Sequence, residues 1–197
     1  MDAVTSPKRP RADAERSTER ILEAAEVVLA ADPNAPLERV AEEAGLARAT
    51  VHRRFASRQA LMEALGERLN QRYRQALQQA RVRTGPPMVA FYRVAETVFE
   101  LKISHRFSID LVSEDHSGDV VEGVELLFAR LYQAKAITVD DPSWCRRIFL
   151  AVLHEVDRLP PDSPSLSPAG NEPGDVIEAR AQLLVRTVLG ALGGSPE

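Results

Sequence analysis

The chain has one cysteine in 197 residues, which excludes an internal disulfide framework and suits a reducing cytoplasm. No apolar run approaches the roughly 18–20 residues that span a bilayer, so no membrane partner is expected. The opening MDAVTSPKRPRADAERS has no apolar stretch after its basic residues and does not read as a secretory signal. Strand signals are nearly absent, with neither sustained period-two alternation nor an Asn-Gly or Asp-Gly hairpin turn. P-loop, GxSxG, HExxH and dinucleotide fingerprints are all missing, which argues against an enzyme and against a bound cofactor. An excess of positive charge is missing too: the net charge is −4.

What is present is helical periodicity in an ordinary globular composition, 44% hydrophobic and 27% charged. Ile21, Leu22, Ala25, Val28 and Leu29 form one stripe, with Ser17 or Thr18 before it as a cap. Pro33 and Pro36 interrupt that helix, and Pro36 suits the first turn of the next. Leu37, Val40, Ala41 and Ala44 form a second stripe that Gly45 stops. Val51 and Phe55, four apart, give a third short helix an inner face. Ser57 can cap a fourth, whose seam Leu61, Leu65, Leu69, Tyr73, Leu77 predicts a helix to about Arg83, ended by Thr84-Gly85-Pro86-Pro87. Further helices are predicted over 89–103, 106–113, 120–136, 143–159 and 175–192, with a proline-rich linker over 160–174.

Charge is unevenly spread. Between Leu46 and Arg83 there are nine arginines and two glutamates, a basic strip on an acidic body, as expected where one face meets phosphate. Leu37–Phe55 reads as helix, turn, helix. Gly45 suits a left-handed turn, and Ala41 and Ala44 are small where two helices must cross. The second helix is too short to stand alone, so its neighbours must hold it with one face free. That face offers Arg48, Ala49, Thr50, His52 and Arg53 to base edges and phosphates.

These residues resemble the TetR family of regulators. The family pattern is an IL-x-AA helix, an IA-x-x-AG-V/L turn, a T-LYRHF-like recognition helix and S-K/R-x-x-L. Here it is matched by Ile21-Leu22-Glu23-Ala24-Ala25, Val40-Ala41-Glu42-Glu43-Ala44-Gly45-Leu46, Thr50-Val51-His52-Arg53-Arg54-Phe55 and Ser57-Arg58-Gln59-Ala60-Leu61. The resemblance implies an all-α fold, an N-terminal three-helix helix-turn-helix DNA-binding domain followed by a helical effector-binding and dimerisation domain. The expected boundaries are a flexible basic arm over 1–16, the DNA-binding domain over 17–66 and the second domain over 67–197. By position, Thr50, His52 and Arg58 resemble phosphate contacts, and Arg48, Ala49 and Arg53 base readers; His52 stands where the family often has tyrosine. The arm Lys8-Arg9-Pro10-Arg11 is either a minor-groove reader or a tail without contacts.

The expected partners are a double-stranded DNA operator, a second copy of the chain in a homodimer, and a small, largely apolar effector. The resemblance puts the dimer on the last two long helices, the final one carrying Val176, Ile177, Leu184, Val188 and Leu189, although a monomeric core would use that surface equally well. Candidate effector contacts are Phe91, Phe99, Phe107, Phe128, Trp144 and Phe149, with His105 or His154 as polar anchors; plain core packing is the alternative for each aromatic. Release of repression by ligand is the default mechanism, and activation or effector-independent regulation the alternative. A helical protein-interaction module is the rival class. Cys145 reads as an inert core thiol, and Glu114-Asp115-His116 with Asp119 as a solvated turn rather than a metal site.

Overall fold

A computed structural model describes residues 9–104, 117–166 and 173–194. The described residues form eight helices and no strand: α1 (Arg9–Ala31), α2 (Leu37–Glu43), α3 (Arg48–Arg54), α4 (Arg58–Gln79), α5 (Pro87–Ser104), α6 (Gly118–Gln133), α7 (Pro142–Arg158) and α8 (Pro173–Ala191). They fall into two compact units that divide within α4, between Leu69 and Asn70. The helix expected over 106–113 lies outside the described residues.

In the first unit, α1 packs on α2 and α2 on α3. Ile21, Leu22, Ala25 and Leu29 of α1 share one core with Val40, Ala41 and Ala44 of α2, Val51 and Phe55 at α3, and Leu61 and Leu65 of α4. The stripes read from the sequence are therefore the buried faces. Ser57 caps α4 as expected, its Oγ accepting from the Ala60 N–H at 3.1 Å. Ser17 and Thr18 do not cap α1. The helix begins at Arg9, and their hydroxyls donate one turn back to the Asp13 and Ala14 carbonyls, a bond that serine and threonine make inside helices.

In the second unit α5 packs on α6 and α8, and α7 packs on the same two, closing a ring of four helices. Phe91, Phe128 and Phe149, from α5, α6 and α7, meet at its centre with ring centroids 5.6–6.0 Å apart, tilted as the ring quadrupoles favour. Gly123 lets α6 approach α4, since a Cβ there would stand 2.7 Å from Leu77 Cδ1. Arg180 of α8 donates to the carbonyls of Val156, Asp157 and Leu159, closing the C-terminus of α7.

Helix ends explain where the sequence expectation was displaced. α4 stops at Gln79, short of the Gly85-Pro86-Pro87 signal, because Arg81 takes a left-handed φ of 54° and the Val82 N–H returns to the Leu77 carbonyl. Lys135 (φ 59°) ends α6 in the same way, through Ala136 N–H to Leu131 O. This is the Schellman geometry that glycine usually supplies, and arginine and lysine do not announce it. Arg130 holds the turn after α4 by donating to the Val82 and Gly85 carbonyls.

Gly45 follows the expected rule. Its φ is 62°, and the Leu46 N–H bonds Ala41 O at 3.0 Å. A left-handed conformation costs an L-residue about 1–2 kcal/mol. Gly45→Ala should therefore lower the melting temperature by about 2–8 °C, read by circular dichroism; an unchanged transition would contradict this account of the turn.

Candidate nucleic-acid interface and effector cleft

Seven residues make a helix of two turns, too short to persist in water by itself. α3 persists because Val51 is fully buried and Phe55, at its C-terminal boundary, is 6% exposed. At 100° per residue, Ala49 and Arg53 then stand opposite Val51, with Thr50 and His52 on the flanks and Arg48 and Arg54 nearer the inner edge. Arg48, Ala49, His52, Arg53 and Arg54 are exposed and Thr50 half-buried. The small side chain of Ala49 leaves the ridge low where it sits one turn before Arg53.

Acids of α2 reach part of this face. His52 Nε2 lies 3.5 Å from Glu38 Oε1, and Arg48 Nη2 lies 3.8 Å from Glu42 Oε1, which also faces Arg39. Glu38 is held below the ordinary carboxylate range, first by a backbone hydrogen bond and next by the His52 hydrogen bond. Arg53 and Arg54 make no ion pair or hydrogen bond with a described residue. The free cations of α3 are thus at its C-terminal half.

The guanidinium of Arg58, expected at a phosphate, donates to the Ala35 carbonyl at 2.7 Å and to the Pro33 carbonyl, closing the α1–α2 loop. Arg20 does likewise for the turn, donating to the Ala44 carbonyl at 2.6 Å. Arg68 is half-buried and bonds Glu19 at 2.6 Å, while Arg74 pairs with Asp119 at 3.4 Å. The basic strip counted along the sequence is therefore partly consumed inside the protein. Three-dimensional neighbours such as loop carbonyls give no signal in a charge count.

The second unit holds an apolar cleft of about 540 Å³, counting its open mouth. Tyr73, Ala76 and Leu77 of α4 line it with Val94 and Val98 of α5, Val120, Val121 and Val124 of α6, and Arg146, Phe149, Leu150 and Leu153 of α7. Of the expected effector contacts among the described residues, Phe149 alone lies on this lining. Phe91, Phe99 and Phe128 are at most 1% exposed and belong to the core. Trp144 is 47% exposed at the first turn of α7, where Asp141 caps its N–H, and His154 is exposed too. His105 and Phe107 lie outside the described residues. The aromatic residues drew attention in the sequence, whereas the walls are mostly valines that read as ordinary stripes.

Burial pushes the Tyr73 phenol above its ordinary value, so it is neutral in the working range. Cys145 is buried with its Sγ 3.9 Å from the Val139 carbonyl, and its thiol is raised first by that burial, as expected of an unreactive core cysteine. Residues Glu114, Asp115 and His116 lie outside the described residues; among those described, no group of three or more metal-ligating side chains gathers. Nor is any described helix long and apolar enough to cross a membrane.

Comparison with known proteins accords with this geometry. Residues 21–65 match the model for bacterial regulatory proteins of the tetR family. The HTH-type transcriptional repressor LfrR of Mycolicibacterium smegmatis is 31% identical over 156 residues, 76% of this chain and 82% of the relative. The crystal structure of LfrR in complex with proflavine, from the same organism under the name Mycobacterium smegmatis, has a TM-score of 0.58 at 22% identity. It covers 92% of this chain and 99% of that one. RolR in complex with resorcinol has a TM-score of 0.55 at 13% identity, over 93% and 90% of the two chains. The N-terminal motifs, the all-helical architecture and the homology over most of the length agree: the chain belongs to the TetR family of helix-turn-helix, DNA-binding transcriptional regulators.

Proposed function

We propose that this regulator is a ligand-released repressor that reads a two-fold operator as a homodimer. The observation that carries the reading is the exposed ridge of α3, turned outward by the burial of Val51 and Phe55. LfrR is a repressor by name and RolR binds resorcinol, which supports repression and effector control here. Ala49, Arg53 and Arg48 address base edges, while Thr50 and His52 address phosphates. The basic arm over 1–16, a DNA-binding domain over 17–66 and an effector and dimer domain over 67–197 remain the proposed division of labour, in the cytoplasm.

One recognition helix covers too few base pairs for useful specificity, so a second copy is needed about 34 Å away on B-DNA. Leu184, Val188 and Leu189 are already buried within the chain. The half-buried Ile148 and Val152, one turn apart on α7, and Val176, Ile177 and Leu183 on α8 are apolar residues open to a partner. Repression is released when effector binds the DNA-incompetent state more tightly than the competent one. α4 supplies Leu61 and Leu65 to the core beneath α3 and Tyr73 and Leu77 to the cleft, a continuous helix through which that preference is expressed.

Selection from a random DNA pool should return a two-fold symmetric site; a pool without symmetry would contradict the reading. On that site Arg53→Ala should weaken binding about five- to 150-fold, the range for losing a bidentate base contact. Arg48→Ala should weaken it less, because Glu42 already shares that guanidinium; the reverse order would displace Arg53 as the central reader. Val152→Asp should convert a micromolar dimer to monomer in sedimentation, whereas a monomeric wild-type chain would refute the homodimer.

A further inference from the structure

Two pairs of charged residues, each pair four apart along its helix, face one another in register. Glu38 and Glu42 share one face of α2, and Arg48 and His52 share one edge of α3. Glu42 Oε1 lies 3.8 Å from Arg48 Nη2, and Glu38 Oε1 lies 3.5 Å from His52 Nε2. The second oxygen of Glu42 faces Arg39 Nη1 at 3.4 Å. Arg53, opposite Val51, makes no ion pair with a described residue. The cations of α3 therefore differ in standing: one edge is already answered by carboxylates, and the outer ridge is open. At 3.8 Å the nearest carboxylate oxygen is beyond hydrogen-bonding distance of Arg48. Glu42 thus offsets the charge of that guanidinium without fixing the direction of its donors. All four side chains are open to solvent, so a phosphate can reach the same cations.

We propose that Glu38 and Glu42 are a built-in brake on DNA binding, holding Arg48 and His52 in the free protein until the nucleic acid displaces them. This rests on the reading of Arg48 and His52 as DNA contacts and adds what limits their affinity. A cation that meets a DNA phosphate gains by releasing condensed counterions. Here an ion pair is lost at the same moment, and the carboxylate left behind stands beside a charge of its own sign. Each exposed pair contributes little, up to about fivefold in affinity, so the brake trims binding and does not block it. An effector shifts a regulator off its site only by its own difference in affinity for the two states. An operator complex held below the strength its cations allow stays within that reach.

A double-mutant cycle on the full chain tests the brake, with affinity for a labelled operator duplex read by fluorescence anisotropy over a range of salt. Glu42→Gln, which keeps the shape of an exposed side chain, should tighten binding about two- to fivefold. It should also steepen the logarithmic salt dependence by about one. Both effects should vanish in an Arg48→Ala background, as expected of a pair that acts through direct contact. Glu38→Gln should tighten binding less, because an imidazole carries full charge only when protonated. Glu43→Gln makes the same change of charge on the same helix, at an exposed residue with no ion pair to a described residue, and should alter affinity less than twofold. An unchanged or weakened complex in Glu42→Gln, a gain that persists without Arg48, or an equal gain in Glu43→Gln overturns the brake and leaves α3 as the reader. If Arg48→Ala and His52→Ala both leave operator affinity unchanged, their reading as DNA contacts fails, and the brake fails with it.

Discussion

Burial of Val51 and Phe55 is the constraint on which the reading head depends. A two-turn helix has no stability of its own, so α3 exists only where its inner residues meet the core formed by α1, α2 and the start of α4. Once Val51 is fixed inward, the orientation of every other α3 side chain follows from helix geometry. The DNA-facing surface is in that sense a by-product of packing. It also explains the small residues at the crossing of the first two helices, where Ala41 and Ala44 are buried and the Gly45 turn begins.

Arginine plays two separate parts in this chain. On α3 it is exposed and available. Elsewhere it is a clamp: Arg20 closes the turn after α2, Arg58 the loop after α1, Arg130 the turn after α4 and Arg180 the end of α7. Helix C-termini leave carbonyls without partners, and a guanidinium fork satisfies two or three of them at once while favouring the negative end of the helix dipole. A family that must hold short helices at fixed angles gains from such closures.

The helical architecture was legible in the sequence because apolar periodicity reports buried faces directly, and Ile21, Leu22, Ala25 and Leu29 of one stripe and Leu61, Leu65, Leu69 and Tyr73 of another prove to be such faces. The Gly45 turn and the Ser57 cap were legible because single residue types answer to single backbone demands. The end of α4 was not, since Arg81 adopts a conformation for which arginine carries no signal. Nor was the destination of Arg58, whose partners are backbone carbonyls 23 and 25 residues away. Large aromatics suggested the cleft lining, yet Phe91 and Phe128 are the centre of the core, while valines and Arg146 make the walls. Residue type distinguishes apolar from polar well; it does not tell a packed wall from an empty one.

The central claim is that α3 meets DNA with the side opposite Val51. Nuclear magnetic resonance of isotopically labelled protein titrated with its selected operator tests it most directly. The account predicts the largest perturbations at Ala49, Thr50, His52 and Arg53, while the Val51 methyl groups keep their intraprotein contacts. Perturbations that bypass α3, or that expose Val51 to the nucleic acid, would contradict it.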